Sequence, residues 1–349
     1  MTGRRFLCQR RVHVPMFSDP PGSLPIALVS LVLDVVFGER GAFLHPVPLM
    51  GKTISMLEQG IRKAISPSRF RHAGILLPVI LSSLFGGGAF LILRGVRLLM
   101  GPTAEIILEV FWGYQLLAGR SLYDHVESVE GALASGDLER SRSALSRIVG
   151  RDTKGLSEEG VSRGALESLS ENANDALVAP LFFMLLGGVP FVMIYKAIST
   201  LDSMVGYKNE RYLDLGWASA RCDDILAYLP ARITFFLLMI FLLPFRPGKE
   251  GQTKIPGPTS VVVRGLRSRR SHPSPNSGYP MAAFAALLDV RLGGGAFYFG
   301  RWTEKPVIGS GHDPGREDLL MGLRLYRMFV FSLIMLLAGL TFMKMDLHV

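Results

Sequence analysis

The chain has 349 residues, 49% of them hydrophobic, and a formal net charge of +9. A chain of this length could hold two domains, but its apolar residues come in blocks and its mean hydropathy is positive, which points instead to a polytopic membrane protein. In such a protein surplus Lys and Arg belong to cytoplasmic loops, so no nucleic-acid partner is inferred; the two cysteines, Cys8 and Cys222, define no disulfide framework, and the seven scattered histidines no metal cage.

Residues 1–22 carry Arg4, Arg5, Arg10 and Arg11 and several prolines. They read as a basic N-terminal extension that holds this end in the cytoplasm. The remainder, 23–349, reads as one membrane domain. Residues 24–37 are apolar but short for a span, and Asp34 interrupts them. An acid in such a segment is a functional candidate, or else a cap at the membrane edge. His45 follows in a loop, where it is open to substrate or to a purely local role. Residues 75–93 are long enough to cross, with Arg94 and Arg97 at the edge. Residues 103–118 carry Glu105 and Glu109 and read as an amphipathic helix.

Residues 119–175 are polar with helical periodicity, so two or three helices are expected there as a cytoplasmic insert. Ser135-Gly136-Asp137 gives a turn and an N-cap signal. Residues 176–195 are apolar but broken by Gly187, Gly188 and Pro190, which leaves open one kinked span or a hairpin that does not cross. Residues 233–245 are intensely apolar and end at a proline. Residues 246–278 read as a long polar loop, 279–299 as a mild helix, and 326–343 as a final span. The fold expected is all-α, a polytopic membrane helical bundle. No internal repeat, Walker A string or Rossmann fingerprint occurs.

The polar residues with chemical potential gather between 166 and 232. Glu167, Glu171 and Asp175 follow one another at four-residue intervals, which places them on one face of a regular helix. Like charges at that spacing repel, so a cation is expected opposite. Lys196, Lys208, Arg221 and Arg232 are available, as is Mg²⁺ shared with substrate phosphates. The plain alternative is a solvated acidic face with ordinary ion pairs. Asp223 and Asp224 are adjacent, so they point about 100° apart and rarely chelate one ion together. Asp202 and Asp223 are equally suited to N-capping. Arg120 and Arg151 are suited to gripping anionic groups; the plainer role for Arg151 is to pair with Asp152.

Taken together, these pieces resemble the CbiB/CobD family, the adenosylcobinamide-phosphate synthases of cobalamin biosynthesis. The resemblance rests on Glu171-Asn172-x-x-Asp175 followed by 178–182, on Lys196-Ala197 with 200–208, on Asp223-Asp224-Ile225 and on Pro230-Ala231-Arg232. Upstream it includes Asp34, Phe37-Gly38, His45-Pro46, Gly51, 119–122 and 149–153; downstream it includes 274–278 and 292–294. It runs in order from about 26 to 302. Ser199 and Ala227 depart from it where Asn is expected, which bears on the choice of amine.

The resemblance implies an enzyme of the cell (inner) membrane with its site facing the cytoplasm. The implied reaction is ATP-dependent amide formation between adenosylcobyric acid and (R)-1-amino-2-propanol or its O-phosphate. ATP and Mg²⁺ would arrive together as substrate, with no tightly bound protein metal. Partners would be the lipid bilayer and other corrinoid enzymes. Glu171, Asp175, Asp202 and Lys208 are assigned to catalysis. Arg120, Arg151, Asn172, Lys196, Arg221, Arg232 and Asn276 are assigned to substrate, and Asp223 and Asp224 to the metal. A corrinoid transporter and a non-catalytic membrane sensor of the AmpE type are the competing classes. A transporter needs polar residues inside several full spans, whereas here they sit at segment ends and in loops. The retained acidic and basic motifs argue against a sensor.

Overall fold

The computed structural model describes residues 24–38, 45–207, 209–245, 257–272, 274–298 and 300–346. The basic extension, Lys208 and residues 246–256 therefore lie outside the described residues. The described residues are mostly helical. In order, the helices are α1 (Leu24–Phe37), α2 (Pro46–Ala64), α3 (Phe70–Leu81), α4 (Gly88–Met100), α5 (Pro102–Leu116), α6 (Gly119–Ala134), α7 (Leu138–Leu145), α8 (Glu158–Asn172), α9 (Ala179–Val205), α10 (Trp217–Leu226), α11 (Tyr228–Leu242), α12 (Pro258–Ser268), α13 (Gly278–Leu288) and α14 (Arg316–Asp346). A π-helical turn, Ser82–Gly87, joins α3 to α4, and another, Ala173–Val178, joins α8 to α9.

Among the described residues, four helical stretches are long and apolar enough to cross a membrane: Pro67–Met100, Glu158–Val205, Tyr228–Phe245 and Arg316–Lys344. Their outer faces carry bare apolar side chains such as Leu91, Leu98, Leu99, Ile240 and Phe331. A helix surface of that kind is stable only where the solvent is lipid.

The second stretch behaves differently, because it folds back on itself. Gly187 (φ −155°, ψ 21°) and Gly188 (φ 69°, ψ −163°) leave helical geometry inside α9. The Gly188 conformation is essentially reserved for glycine. Beyond the break the chain returns: Tyr195 Oη donates to Asp175 Oδ1 at 3.3 Å, and the Phe183 and Tyr195 rings stack at 5.0 Å. Unbroken helix would hold Asp175 and Tyr195 about 30 Å apart. The Gly187–Gly188 tip thus lies only about 18 Å of helix beyond Asp175, well short of a hydrocarbon core of about 30 Å. The segment is a re-entrant hairpin rather than a span. In keeping with this, 72% of its most apolar stretch is buried in protein, against 28, 39 and 33% for the other three.

Helix α9 is the hub of the bundle, touching α2, α3, α4, α5 and α10. Gly86 sits so close to Ile194 and the Pro190 carbonyl that no larger residue fits there. Across the bundle α14 packs on α1, α6, α8 and α11. Tyr195, Phe235, Phe284, Tyr326 and Phe329 are fully buried, each side chain contributing about 1.5–3 kcal/mol by leaving solvent.

Two expectations fail locally. The stretch 258–268, read as loop, is the helix α12; Pro258 opens it at a first-turn position, where proline is tolerated. The helix expected over 279–299 stops at Leu288. Asp289 adopts φ 55°, and Gly293 and Gly294 follow at φ 80° and 86°, conformations that no right-handed helix accepts. The chain then forms short strands, β1 (Leu292–Gly293), β2 (Ala296–Tyr298), β3 (Arg301–Thr303) and β4 (Val307–Ile308), paired antiparallel as β1–β4 and β2–β3. The last helix, α14, begins ten residues before the expected final span. In the polar section, α6, α7 and α8 are helices, and Asp137 caps α7 by accepting from Arg140 N at 2.9 Å.

Candidate functional site

The acidic row does not stay on one face. The π turn after Asn172 adds a residue to the helical turn and rotates the chain beyond it, so Glu167, Glu171 and Asp175 meet different partners. Glu167 forms a buried ion pair with Arg151 at 2.6 Å and accepts the Gly293 N–H at 2.6 Å. It is a tie between α8, the 149–153 loop and β1. Glu171 has the Ser277 hydroxyl within hydrogen-bonding reach and feels the charges of Lys305 and Arg151. Asp175 accepts from Asn174 Nδ2 at 2.6 Å and from Tyr195, while Lys196 Nζ donates to its main-chain oxygen at 3.1 Å.

Around Glu171 lies a cavity of about 210 Å³. Arg151, Asn172, His272, Tyr298 and Lys305 share its wall with the carboxylate. Burial first, and the nearby Lys305 charge, hold the His272 pKa below its ordinary value, so the ring is neutral at pH 7. Lys305 donates to Tyr298 Oη and lies over that ring.

The returning arm of α9 and the helix α10 bring a second set of acids to Asp175. Asp202, Asp223 and Asp224 are half-buried, and Asp223 feels the charges of Asp175, Asp202 and Asp224. Burial first, and then these like charges, push the Asp223 carboxyl up to about 8. A divalent cation would relieve that repulsion. Among the described residues no three Asp, Glu, His or Cys side chains converge on one metal position, so the acids suit an ion that brings phosphate oxygens and water of its own.

A polar clamp closes the far side. Arg232 is held between the Tyr228 and Tyr279 rings, at 3.3 and 4.4 Å from their centroids. It donates to Asn276 Oδ1 at 3.1 Å, and Asn276 Nδ2 donates to the Asp224 main-chain oxygen at 2.8 Å. Thr234 Oγ1 donates to Asn174 Oδ1 at 3.0 Å and fixes that amide against Asp175.

Arg221 and Arg120 fall elsewhere, and other candidates are engaged by local partners. Arg221 is exposed; two helix positions before Asp223, it points about 160° away from it. Arg120 lines a different cavity with Tyr123, Tyr326 and Arg327, and its side chain pairs with Asp124 at 2.6 Å. Arg151 is engaged by Glu167 rather than by Asp152. Asn172 Nδ2 donates back to the Ser168 main-chain oxygen at 2.9 Å. Asp34 is buried and accepts from Arg120 N at 3.2 Å, capping the start of α6, and His45 caps α2 by accepting from Val47 N. The cations that meet Glu167 and Glu171, namely Arg151 and Lys305, are not among those expected opposite the acidic row. Lys305 also lies outside the stretch that carries the resemblance.

Fold and site together define a helical membrane protein with a carboxylate-rich polar site at the mouth of a re-entrant hairpin. Its sequence relatives make the class specific. The family model described as CobD/Cbib protein matches residues 27–326. A protein named cobalamin biosynthesis protein CobD from Geobacter metallireducens is 44% identical over 285 residues, covering 82% of this chain and 86% of that one. Proteins of the same name from Klebsiella pneumoniae and Listeria monocytogenes are each 37% identical, covering 85% and 82% of this chain and 91% and 88% of theirs. The chain belongs to the CobD/CbiB family. No solved structure matches it.

Proposed function

We propose that this chain joins the carboxyl group of a corrinoid acid, adenosylcobyric acid, to (R)-1-amino-2-propanol or its O-phosphate at the expense of ATP. A carboxylate resists attack by an amine because oxide is a poor leaving group. In the proposed first step a carboxylate oxygen attacks the γ-phosphorus of ATP, giving an acyl phosphate and ADP. The neutral amine then attacks the acyl carbon, phosphate leaves, and the nitrogen gives up one proton, leaving an amide.

The observation that carries this reading is the meeting of Asp175, Asp202 and Asp223 beside Lys196, with a cavity lined by Arg151 and Lys305 next to Glu171. Phosphoryl transfer needs cationic groups around developing charge, and amine attack needs a base. Asp175 takes the amine proton in this scheme, with Asn174 and Tyr195 holding its carboxylate in place. Lys196, Arg151 and Lys305 meet phosphate or carboxylate oxygens. Arg232 and Asn276 shape the wall that orients substrate. Mg²⁺ entering with ATP would be held by Asp202 with Asp223 or Asp224 and would neutralise phosphate charge. Glu171 and Lys208 complete the catalytic set, and Asn172 orients substrate. The site faces the cytoplasm of the cell membrane, where ATP is supplied, and other corrinoid enzymes would work beside it.

The test is mass spectrometry of the purified protein incubated with adenosylcobyric acid, ATP, Mg²⁺ and each amine in turn. The expected result is the amide product with equimolar ADP. Product without ATP consumption, or none with either amine, refutes the reading.

A further inference from the structure

Beside the Glu171 cavity lies a second and larger one, of about 820 Å³, which the proposed chemistry leaves unused. Its volume falls within the range of small-molecule sites, roughly 300–1,000 Å³. The two cavities meet at Arg151, which lines both. One wall is the 152–157 loop and the other is the β2–β3 ribbon.

The ribbon presents two large aromatic side chains. Phe297 and Trp302 pack edge to face with centroids 5.1 Å apart, yet they are 50% and 59% exposed. Their placement is enforced. Asp152 N donates to the Phe297 carbonyl at 2.9 Å, and Gly300 N donates to Asp152 Oδ2 at 2.7 Å. The Trp302 ring sits so close to Gly295 that a Cβ there would strike it. Aromatic side chains held rigid and half in solvent at a cavity wall form a stacking platform for a flat ring.

Apart from Asp152, the charged groups lining the cavity are cationic. Lys154 is exposed and pairs with no described residue. Among the described residues the buried Nε–H groups of Arg151 and Arg163 have no partner, although buried polar groups are nearly always satisfied; a terminal nitrogen of each pairs with Glu167 at 2.6 Å and Asp313 at 3.1 Å, respectively. Guanidinium edges of this kind are the groups that bind phosphate in pairs. Glu158 and Glu159 occupy the first turn of α8, so the helix N-terminus repels anions and leaves the arginines as the attractive end.

We propose that this cavity is the purine-nucleotide site, with the base against Phe297 and Trp302 and the phosphates passing Lys154 and Arg163 toward Arg151. The assignment rests on the ATP-dependent reading above. It explains how a nucleotide is bound by a chain that lacks a Walker A string: an aromatic ribbon takes the base, and arginines from the 149–153 loop and α8 take the phosphates. Arg151 then stands between the nucleotide and the carboxylates of the adjoining cavity.

Two measurements on the full-length protein in detergent test this. In the first, unaltered protein is photolabelled with 8-azido-ATP and the modified peptide is identified by mass spectrometry. Labelling within 296–303, blocked by excess ATP, is expected. Labelling confined to other peptides, or no ATP-protected labelling, overturns the proposal. In the second, ATP affinity is measured by equilibrium dialysis for Trp302→Ala and Trp302→Phe. Loss of a stacking ring is expected to weaken binding by about tenfold, with Phe restoring most of it. Unchanged ATP affinity in Trp302→Ala, or a loss of corrinoid binding in its place, overturns the assignment. The photolabel needs no variant to fold and no turnover, so it reports on this site even if the wild-type protein forms no amide. Amide formation with labelling elsewhere rejects this site while leaving the proposed reaction standing.

Discussion

Replacing Asp175 with Asn isolates charge from shape at the centre of the site. The side chain keeps an oxygen to accept from Asn174 at 2.6 Å and from Tyr195 at 3.3 Å. Lys196 donates to the main-chain oxygen, which the substitution does not touch. The fold should therefore persist, and removing one of the mutually repelling carboxylates should leave stability equal or slightly higher. In the proposed reaction the ability to take a proton from the amine disappears. Loss of a positioned base costs on the order of 10²–10⁴ in rate. The assay is mass-spectrometric counting of amide product in single-turnover and steady-state incubations, with detergent melting to verify folding. If Asp175 only braces Asn174 and Tyr195, the substitution should leave turnover intact. A folded Asp175→Asn protein with normal turnover would refute the assignment of the base and move it to Asp202 or Asp223.

Asp223, pushed up to about 8 by burial and by Asp175, Asp202 and Asp224, binds a proton more tightly folded than unfolded. Its effect on stability is absent below about pH 4, then becomes a growing penalty as pH rises toward 8, and is constant above that. Asp223→Asn should consequently raise the melting temperature in Mg²⁺-free buffer at pH 9 and leave it unchanged at pH 3.5; equal shifts at both would refute the titration. Gly188→Ala places a side chain at φ 69°, ψ −163° and should cost about 1–3 kcal/mol, read by thermal melting, with activity falling as the hairpin misplaces Lys196. Arg151→Met strands Glu167, whose partner sits at 2.6 Å with both side chains nearly buried, and should destabilise by about 3–5 kcal/mol; Arg151→Met with Glu167→Gln should recover part of that loss in a double-mutant cycle.

The helical class is legible in the sequence because its signals are local. Blocks of apolar residues, the Ser135-Gly136-Asp137 cap and the periodic polar section act within one or two turns. Residues 187–190 announce a break for the same reason, since glycine and proline fail locally. Whether the break kinks a span or reverses the chain depends on partners far away, above all Tyr195 meeting Asp175, and no local pattern encodes that. The end of α13 is hard to place because residues 279–288 are apolar and helical, and the pattern alone does not say which glycine stops them. The positive φ values from Asp289 onward are what terminate the helix and start the ribbons.

The site is legible to the extent that its residues are crowded together in the chain. Asp175, Asp202 and Asp223 stand out because each lies at the end of an apolar segment, and a re-entrant hairpin delivers such ends to one face. The α8 row misleads because four-residue spacing implies a shared face only in regular α-helix. The π turn at Ala173–Val178 breaks that rule between Glu171 and Asp175. The same turn explains the distribution of cations. Glu167 and Glu171 look toward the 149–153 loop and the β ribbons, where Arg151 and Lys305 lie, while Asp175 looks toward the returning arm of α9 and Lys196. A carboxylate row that would have repelled itself on one face is divided between two environments, each matched to cations from a different part of the chain. Lys305 sits among loop residues with no periodicity and no motif, so only the long-range packing of the ribbons against α8 reveals it. Arg151 is then the residue common to both cavities, tied to Glu167 on one side and bordering the aromatic ribbon on the other. A change there should be felt in stability, and a change at Trp302 should not, which separates the framework of the site from its binding surface.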